Sequence, residues 1–273
     1  PGAALMSVRA ALNTGVGMVR FNGKDDTLRT LMLGQNPETV CFTGPPAHEH
    51  VHAWAGGSGT GPETLDHNRY LLNAPEPAIL DAGAVDLAAD YLMAGHSLGE
   101  HKILTPHAGE LERFLRRIHE HSPQRWEEML DGALVPSRED INAEPFRWVR
   151  AACELSGATV MLKGSTTLIA APVGATYSVH GATGWLATAG SGDTLTGILG
   201  ALLAQYMAAA QERHEQVEGC TYASLAALAV YLHNRAALAS LEGRKGPVPP
   251  SRVAAYLPQA IAGLLDEKAV LDD

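Results

Sequence analysis

Long apolar runs are missing from this chain of 273 residues. The best candidate, residues 198–210, is interrupted by Gln205. It falls short of the ~18 apolar residues that a spanning helix needs. The start of the sequence has no charged-then-apolar signal pattern, so no membrane partner is expected. Positive charge is also scarce. Lys and Arg total 20 against 30 Asp and Glu, for a formal net charge of −10. A general binder of nucleic acid or anionic lipid wants a basic surface, so no nucleic-acid partner is expected. A local basic site for phosphates stays open. Cysteine is the third shortage. Cys41, Cys153 and Cys220 are odd in number, far apart and without a CxxC pair. That excludes a disulfide framework using all of them and predicts a reducing, cytoplasmic setting.

What is present is a globular composition, with 46% hydrophobic and 18% charged residues, which excludes a disordered chain. A domain of this length buries roughly 70–75% of its unfolded surface, so its core needs no staples. Short β-branched runs alternate with longer helical patterns. Strands are predicted at 18–21, 39–43, 51–55, 78–81, 102–105, 159–163, 167–171 and 176–180. Helices are predicted at 3–13, 63–73, 85–93, 109–117, 144–156, 194–209, 222–240 and 252–265. Several strands are apolar throughout, the mark of parallel strands covered on both faces. The expected architecture is therefore α/β, a doubly wound and mostly parallel central sheet with helices on both faces. The last two strands read as a short antiparallel edge hairpin across Pro172-Val173-Gly174-Ala175. One domain spanning 1–273 is expected. The polar stretch 119–142, with Pro123 and Pro136, reads as a surface insertion.

The strongest chemical signal is Ala187-Thr188-Ala189-Gly190-Ser191-Gly192-Asp193-Thr194-Leu195-Thr196-Gly197. Its glycines let successive backbone N–H groups converge. The helix that follows adds unpaired donors and a positive dipole end. Together they make an anion hole suited to a transferring phosphoryl group. Asp193 is then poised to take a proton from an attacking hydroxyl. The plainer alternative is an N-cap aspartate after a tight turn. Lys163 and His107 sit at predicted strand ends, where ligands of open α/β sheets bind. The plainer alternatives there are a solvated lysine and a helix-capping histidine. Glu110 reads first as an acid favouring a helix N-terminus.

Read with four other segments in order, the glycine-rich signature resembles that of the ribokinase-like family, and specifically of the ADP/ATP-dependent NAD(P)H-hydrate dehydratases. Pro1-Gly2-Ala3-Ala4 resembles the family's PGAA opening. Gly57-Ser58-Gly59-Thr60-Gly61 resembles its GPGLG loop, and Thr105-Pro106-His107-Ala108-Gly109-Glu110 its TPHPGE element. Leu162-Lys163-Gly164-Ser165-Thr166-Thr167 resembles its LKGAGT element. The resemblance implies a ribokinase-like fold and conversion of hydrated NAD(P)H, NAD(P)HX, back to NAD(P)H. ADP is the implied co-substrate, giving AMP and phosphate, with Mg²⁺ as the implied cofactor. Asp193 is the implied catalytic base. Ala3, Gly59, Gly61, His107 and Asp193 are implied to bind the substrate. Lys163, Gly164, Ser165, Thr166, Thr167, Gly190, Ser191 and Gly192 are implied to bind the nucleotide. A homo-oligomer is also implied.

The sequence departs from the family at several points. Leu80-Asp81-Ala82-Gly83-Ala84-Val85 keeps one aspartate where the family's LDADAL has two. Ser58 replaces the proline of GPGLG, and Thr183-Gly184 stands where Asn-Pro is usual. The sequence opens at Pro1, past the strand and glycine-rich turn that precede PGAA in the family. Two other functions remain open: a small-molecule kinase of the same fold acting on a thiazole or pyrimidine alcohol, and a non-catalytic nucleotide-binding protein. His48-Glu49-His50-Val51-His52 contains a literal HExxH, but a zinc site needs it on a helix. A strand reading puts the three histidines on one solvated face instead, so no metal site is assigned to them.

Overall fold

A computed structural model of the chain describes residues 1–59, 61 and 65–272, without the side chains of 267–272. Two short strands, β1 (Arg20–Asn22) and β2 (Val40–Phe42), pair in parallel as a separate sheet. The main sheet holds β3 (Trp54–Gly56), β4 (Ala78–Leu80), β5 (Lys102–Leu104), β6 (Thr159–Leu162), β7 (Thr167–Ala170) and β8 (Thr176–Val179). Its spatial order follows the chain from β3 to β8. β3 through β6 run parallel; β7 pairs antiparallel with β6 and β8 antiparallel with β7, the edge hairpin predicted.

The strands are apolar on both sides because helices cover both sides. Ala78, Leu80, Leu104, Val160, Leu162, Leu168 and Ala170 face one cluster, and Ile79, Ile103, Met161 and Ile169 face the other. The first cluster is closed by α3 (Leu65–Asn73), α4 (Gly83–Met93), α5 (Ala108–His121), α6 (Pro123–Leu130), α7 (Arg138–Ala143) and α8 (Pro145–Ser156). The second is closed by α1 (Gly2–Asn13), α9 (Ser191–Arg213), α10 (Gly219–Ser240), α11 (Pro250–Ala255) and α12 (Leu257–Asp272). Both faces are covered, as the alternation of elements predicted, but not by winding in two directions. Right-handed crossovers between strands laid down in one direction all land on one face. The other face is filled by α1 and by helices that follow β8.

Several expectations need correction. Helix α2 (Asp26–Gln35) was not predicted; Asp25 caps it by accepting from the Leu28 N–H at 2.8 Å. The stretch 119–142 is not a bare surface insertion. It completes α5 and supplies α6 and most of α7, whose Trp126 and Ile141 are buried in the first cluster. The predicted last helix is two, parted at Tyr256. Pro258 has no N–H to give the Ala254 carbonyl, so the helical ladder is interrupted and the turn at Tyr256 parts the two helices. The expected strand at 51–55 begins only at Trp54. His48 ends a single 3₁₀ turn, Glu49 is extended and pairs with Arg20, and the His50 and His52 rings meet edge to face at 5.2 Å. The three histidines therefore share neither a helix face nor a strand face. Positions 63 and 64 of the predicted helix 63–73 lie outside the described residues. No helix of the described residues is long and apolar enough to cross a membrane.

Candidate functional site

The parallel strands deliver their chemistry at one end. β3 runs out into Gly57-Ser58-Gly59, β4 into Asp81, β5 into Thr105-Pro106-His107, and β6 into Lys163-Gly164. The amino end of α9 meets them there. Its N-cap is Gly190, in left-handed backbone at φ +92°, so Asp193 falls in the first turn. This gathering at the carboxyl ends of parallel strands is where α/β sheets bind ligands.

Close backbone approach makes it possible. A Cβ on Gly57 would stand 1.8 Å from the Asp81 carbonyl oxygen, and one on Gly197 would stand 2.1 Å from the Ser7 carbonyl oxygen. Neither position admits a side chain without displacing backbone. The second approach lets α1 lie against α9, where the Ser7 hydroxyl donates to the Asp193 carbonyl at 2.9 Å. Ala3, on the same helix, lies beside Gly59: a Cβ on Gly59 would be 3.0 Å from the Ala3 Cβ.

Asp81 is the buried centre of the polar network. Its Oδ1 accepts from Lys163 Nζ at 2.6 Å and from the Thr105 hydroxyl at 2.8 Å, and Ser58 Oγ lies 2.6 Å from its Oδ2. Burial works to raise its pKa, but the Lys163 ammonium and hydrogen bonds from Lys163, Ser58 and Thr105 outweigh this and hold it below the usual carboxylate value. The next residue, Ala82, is held at φ +45° and ψ −117°. Such a conformation costs a non-glycine residue about 1–3 kcal/mol and is typical of functional turns. Ser58 Oγ also lies 2.6 Å from Asp193 Oδ1, so one hydroxyl stands between two carboxyl groups. A Cβ on Gly192 would be 3.5 Å from Lys163 Nζ, which puts the ammonium over the start of α9.

His107 takes the plainer role and leaves another open. It is the N-cap of α5: its Nδ1 accepts from the Gly109 and Glu110 N–H groups at 3.1 and 3.2 Å. Glu110, largely buried, completes the capping box by accepting from the His107 N–H at 2.9 Å. With Nδ1 an acceptor, the ring proton is on Nε2. Nε2 lies 3.5 Å from Glu110 Oε1, while the side chain is 57% exposed. A parallel bridge between His107 and Lys163 extends the β5–β6 pairing beyond both strands.

The structure thus brings Ala3, Gly59, His107, Lys163, Gly190, Ser191, Gly192 and Asp193 to one end of the sheet. Gly164, Ser165 and Thr166 form the exposed turn after Lys163, whereas Thr167 is buried at the start of β7. Gly61 is partly buried in the loop after β3; Thr60 lies outside the described residues. Sequence reasoning left Ser7, Ser58, Asp81 and Thr105 out of the site. An aspartate closing an apolar strand was the legible clue to Asp81, because an acid at that point must find partners. Among the described residues no three His, Cys, Asp or Glu side chains form a metal cage.

Comparisons with known proteins place the chain in a family. A family profile described as NAD(P)H-hydrate dehydratase matches residues 1–259. The bifunctional NAD(P)H-hydrate repair enzyme Nnr of Mycobacterium tuberculosis is 36% identical over 208 residues, 75% of this chain and 38% of that protein. The ADP-dependent (S)-NAD(P)H-hydrate dehydratase of Neisseria meningitidis is 32% identical over 212 residues, 75% of this chain and 65% of that one. The chain thus matches less than two thirds of the length of either relative. Among solved structures, the ADP/ATP-dependent NAD(P)H-hydrate dehydratase of Bacillus subtilis, co-crystallised with ATP/Mg²⁺ and soaked with CoA, is 24% identical. It aligns with a TM-score of 0.72 over 96% of this chain and 87% of its own. A ribokinase-like superfamily protein of Enterococcus faecalis aligns at 0.71 with 22% identity, over 96% of this chain and 82% of its own. These likenesses show the ribokinase-like fold.

Proposed function

Because the chain belongs to the NAD(P)H-hydrate dehydratase family, we propose that it returns NAD(P)HX to NAD(P)H by phosphorylating and then eliminating the misplaced hydroxyl, with ADP as donor. One observation carries this reading. Asp193 stands in the first turn of α9, behind Gly190 and Gly192 and beneath the Lys163 ammonium, at the carboxyl end of the sheet. Hydroxide is a poor leaving group and phosphate a good one. Asp193 takes the proton of the ring hydroxyl, and the alkoxide oxygen attacks the β-phosphorus of ADP. The bond to AMP breaks. The open N–H groups at the start of α9 receive the charge spread over the transferring phosphoryl group. The ring nitrogen lone pair then expels phosphate, and the neighbouring ring carbon gives up a proton, which restores the ring double bond and the neutral dihydronicotinamide.

Lys163 has two ammonium protons beyond the one given to Asp81 and supports nucleotide phosphates as a point charge. Gly164, Ser165 and Thr166 are the turn beside it, and the buried Thr167 supports that turn rather than reaching ligand. Ala3, Gly59 and Gly61 line the substrate side, and His107 offers Nε2–H to the hydrated nucleotide. Mg²⁺ would enter on the phosphates and offset their charge, the usual mode for a cation that keeps its waters; no side-chain cage is assigned to it. The free thiols of Cys41, Cys153 and Cys220 support a cytoplasmic setting, and a homo-oligomer is tested by light scattering.

The deciding experiment incubates the protein with NADHX, Mg²⁺ and either ADP or ATP, following dihydronicotinamide absorbance and nucleotide products. Recovered absorbance with AMP formed from ADP is expected. A stable phosphorylated product would replace this reading with a small-molecule kinase. Binding of ADP without any product would replace it with a nucleotide-binding protein.

A further inference from the structure

A hydroxyl has one proton to donate, yet Ser58 Oγ stands 2.6 Å from a carboxyl oxygen on each side, Oδ2 of Asp81 and Oδ1 of Asp193. If both carboxyls are ionised, one of these contacts sets an oxygen lone pair against an anion. Both become hydrogen bonds only when one further proton is present. Asp81 is the poorer place for that proton, since Lys163 and Thr105 already donate to it. The geometry therefore fits a protonated Asp193 donating to Ser58, with Ser58 donating to an ionised Asp81. That is the state reached once Asp193 has taken the substrate proton.

We propose that Ser58 is a positioning residue for Asp193, a hydrogen-bond relay whose second bond forms only while Asp193 holds a proton. The inference rests on the reading of Asp193 as the base, but not on the identity of the alcohol it deprotonates. The balance is simple. The substrate O–H bond breaks, an Asp193 O–H bond forms, and that O–H points at Ser58 Oγ. The Ser58 proton turns to Asp81, and no proton need leave the site during transfer. Ser58 stands at the position where the family's loop carries proline, which has no hydroxyl, and Gly83 stands where the second family aspartate would be. The relay is thus a property of this chain's own residues.

The charged groups facing Asp193 among the described residues are few. Asp81 comes from the end of β4 and Lys163 from the end of β6, while α1 contributes the Ser7 hydroxyl to the main chain and α11 contributes Pro250 beside Gly190. Losing Ser58 removes two hydrogen bonds from the proton-loaded state and one from the ionised state, so the loaded state loses more.

The test labels aspartate side-chain carboxyls with ¹³C and follows them by NMR against pH in the full chain. The signal absent from Asp193→Asn identifies the residue. Its titration midpoint is expected to fall by about one pH unit in Ser58→Ala. Ser58→Pro, which also lacks the hydroxyl, gives the same direction should the alanine variant fold poorly. Ser58→Thr restores the midpoint. With NADHX and ADP, the acidic limb of kcat/KM moves to lower pH by the same amount. Midpoints that coincide in wild type and the hydroxyl-free variants overturn the relay, as does a folded threonine variant that behaves like alanine. A shifted midpoint in a protein inactive on NADHX sustains the relay and removes the substrate reading. Normal turnover with an unmoved midpoint does the reverse.

Discussion

Two lysines lie at opposite ends of the same parallel strands, and their surroundings separate the working end of the molecule from the supporting end. Lys102 opens β5 at the amino end and is 1% exposed. Its ammonium donates to the main-chain carbonyls of Ala74 and Glu76, so it fastens the turn between α3 and β4. Burial pushes its pKa down to about 8, against the opposing pull of Glu76. Lys163 follows β6 at the carboxyl end, and its side chain is 19% exposed. It meets a carboxylate and keeps donors free for a ligand. A buried cation closed on carbonyls is structure, whereas one held by an acid at an open edge is available for chemistry.

The sharpest way to break this contrast acts on the working end. Asp193→Asn is expected to lower dehydratase turnover about 10²–10⁴-fold while leaving the melting temperature in place, measured by NADHX assay and calorimetry. At the supporting end the pattern reverses. Lys102→Ala takes a donor away from the Ala74 and Glu76 carbonyls and opens a cavity, so denaturant unfolding is expected to show a loss of about 2–4 kcal/mol. ADP affinity of the folded protein is retained. Because the folded-state pKa of Lys102 lies below its unfolded value, wild-type stability rises from about pH 8 towards the lysine range, and the variant lacks that rise.

His233 tests the case of a buried base whose Nε2 finds no hydrogen-bond partner among the described residues. It lies within α10, its Nε2 has no hydrogen bond, and burial drives its pKa down from 6.5 to about 4. Its unfolded form binds the proton more readily. Stability is therefore complete above pH 6.5 and falls between there and about pH 4, by up to about 3 kcal/mol. His233→Phe should flatten that segment of a stability-against-pH curve. The smallest effect belongs to Lys163→Ala. In wild type, the depressed Asp81 pKa gives stability above the unfolded carboxylate value that is lost as pH falls through the folded one. Without Lys163 the acid loss shrinks, and titration calorimetry should show weakened ADP binding at every pH.

Much of this was legible in the chain. The apolar run of β4 and the largely apolar β5 and β6 announced buried parallel strands, and glycine-rich turns beside Asp193, Lys163 and His107 announced the ligand end. The small helices were harder. In α2 only Met32 is buried, so no apolar stripe marks it. α6 and α7 each bury one large side chain, Trp126 and Ile141, too little for a periodic signal. Their caps were visible in Pro123 and in the Ser137–Asp140 capping box, which can matter more than hydrophobic period in short helices. The link through Ser58 was not legible. Positions 58, 81 and 193 are joined by the fold alone, and only the missing proline marked the first of them.

The bond from Ser7 to the Asp193 main chain joins residues 186 apart in sequence. The entropy of closing so long a loop grows only slowly with its length, but the contact cannot form until everything between is in order. The proton acceptor is therefore set by two distant segments of the chain meeting, with the sheet as the gauge between them. Cut anywhere between α1 and α9, neither fragment contains a working centre, although each carries part of its motif set. Activity regained on mixing two such fragments would report the closing of the whole fold at a single atom pair.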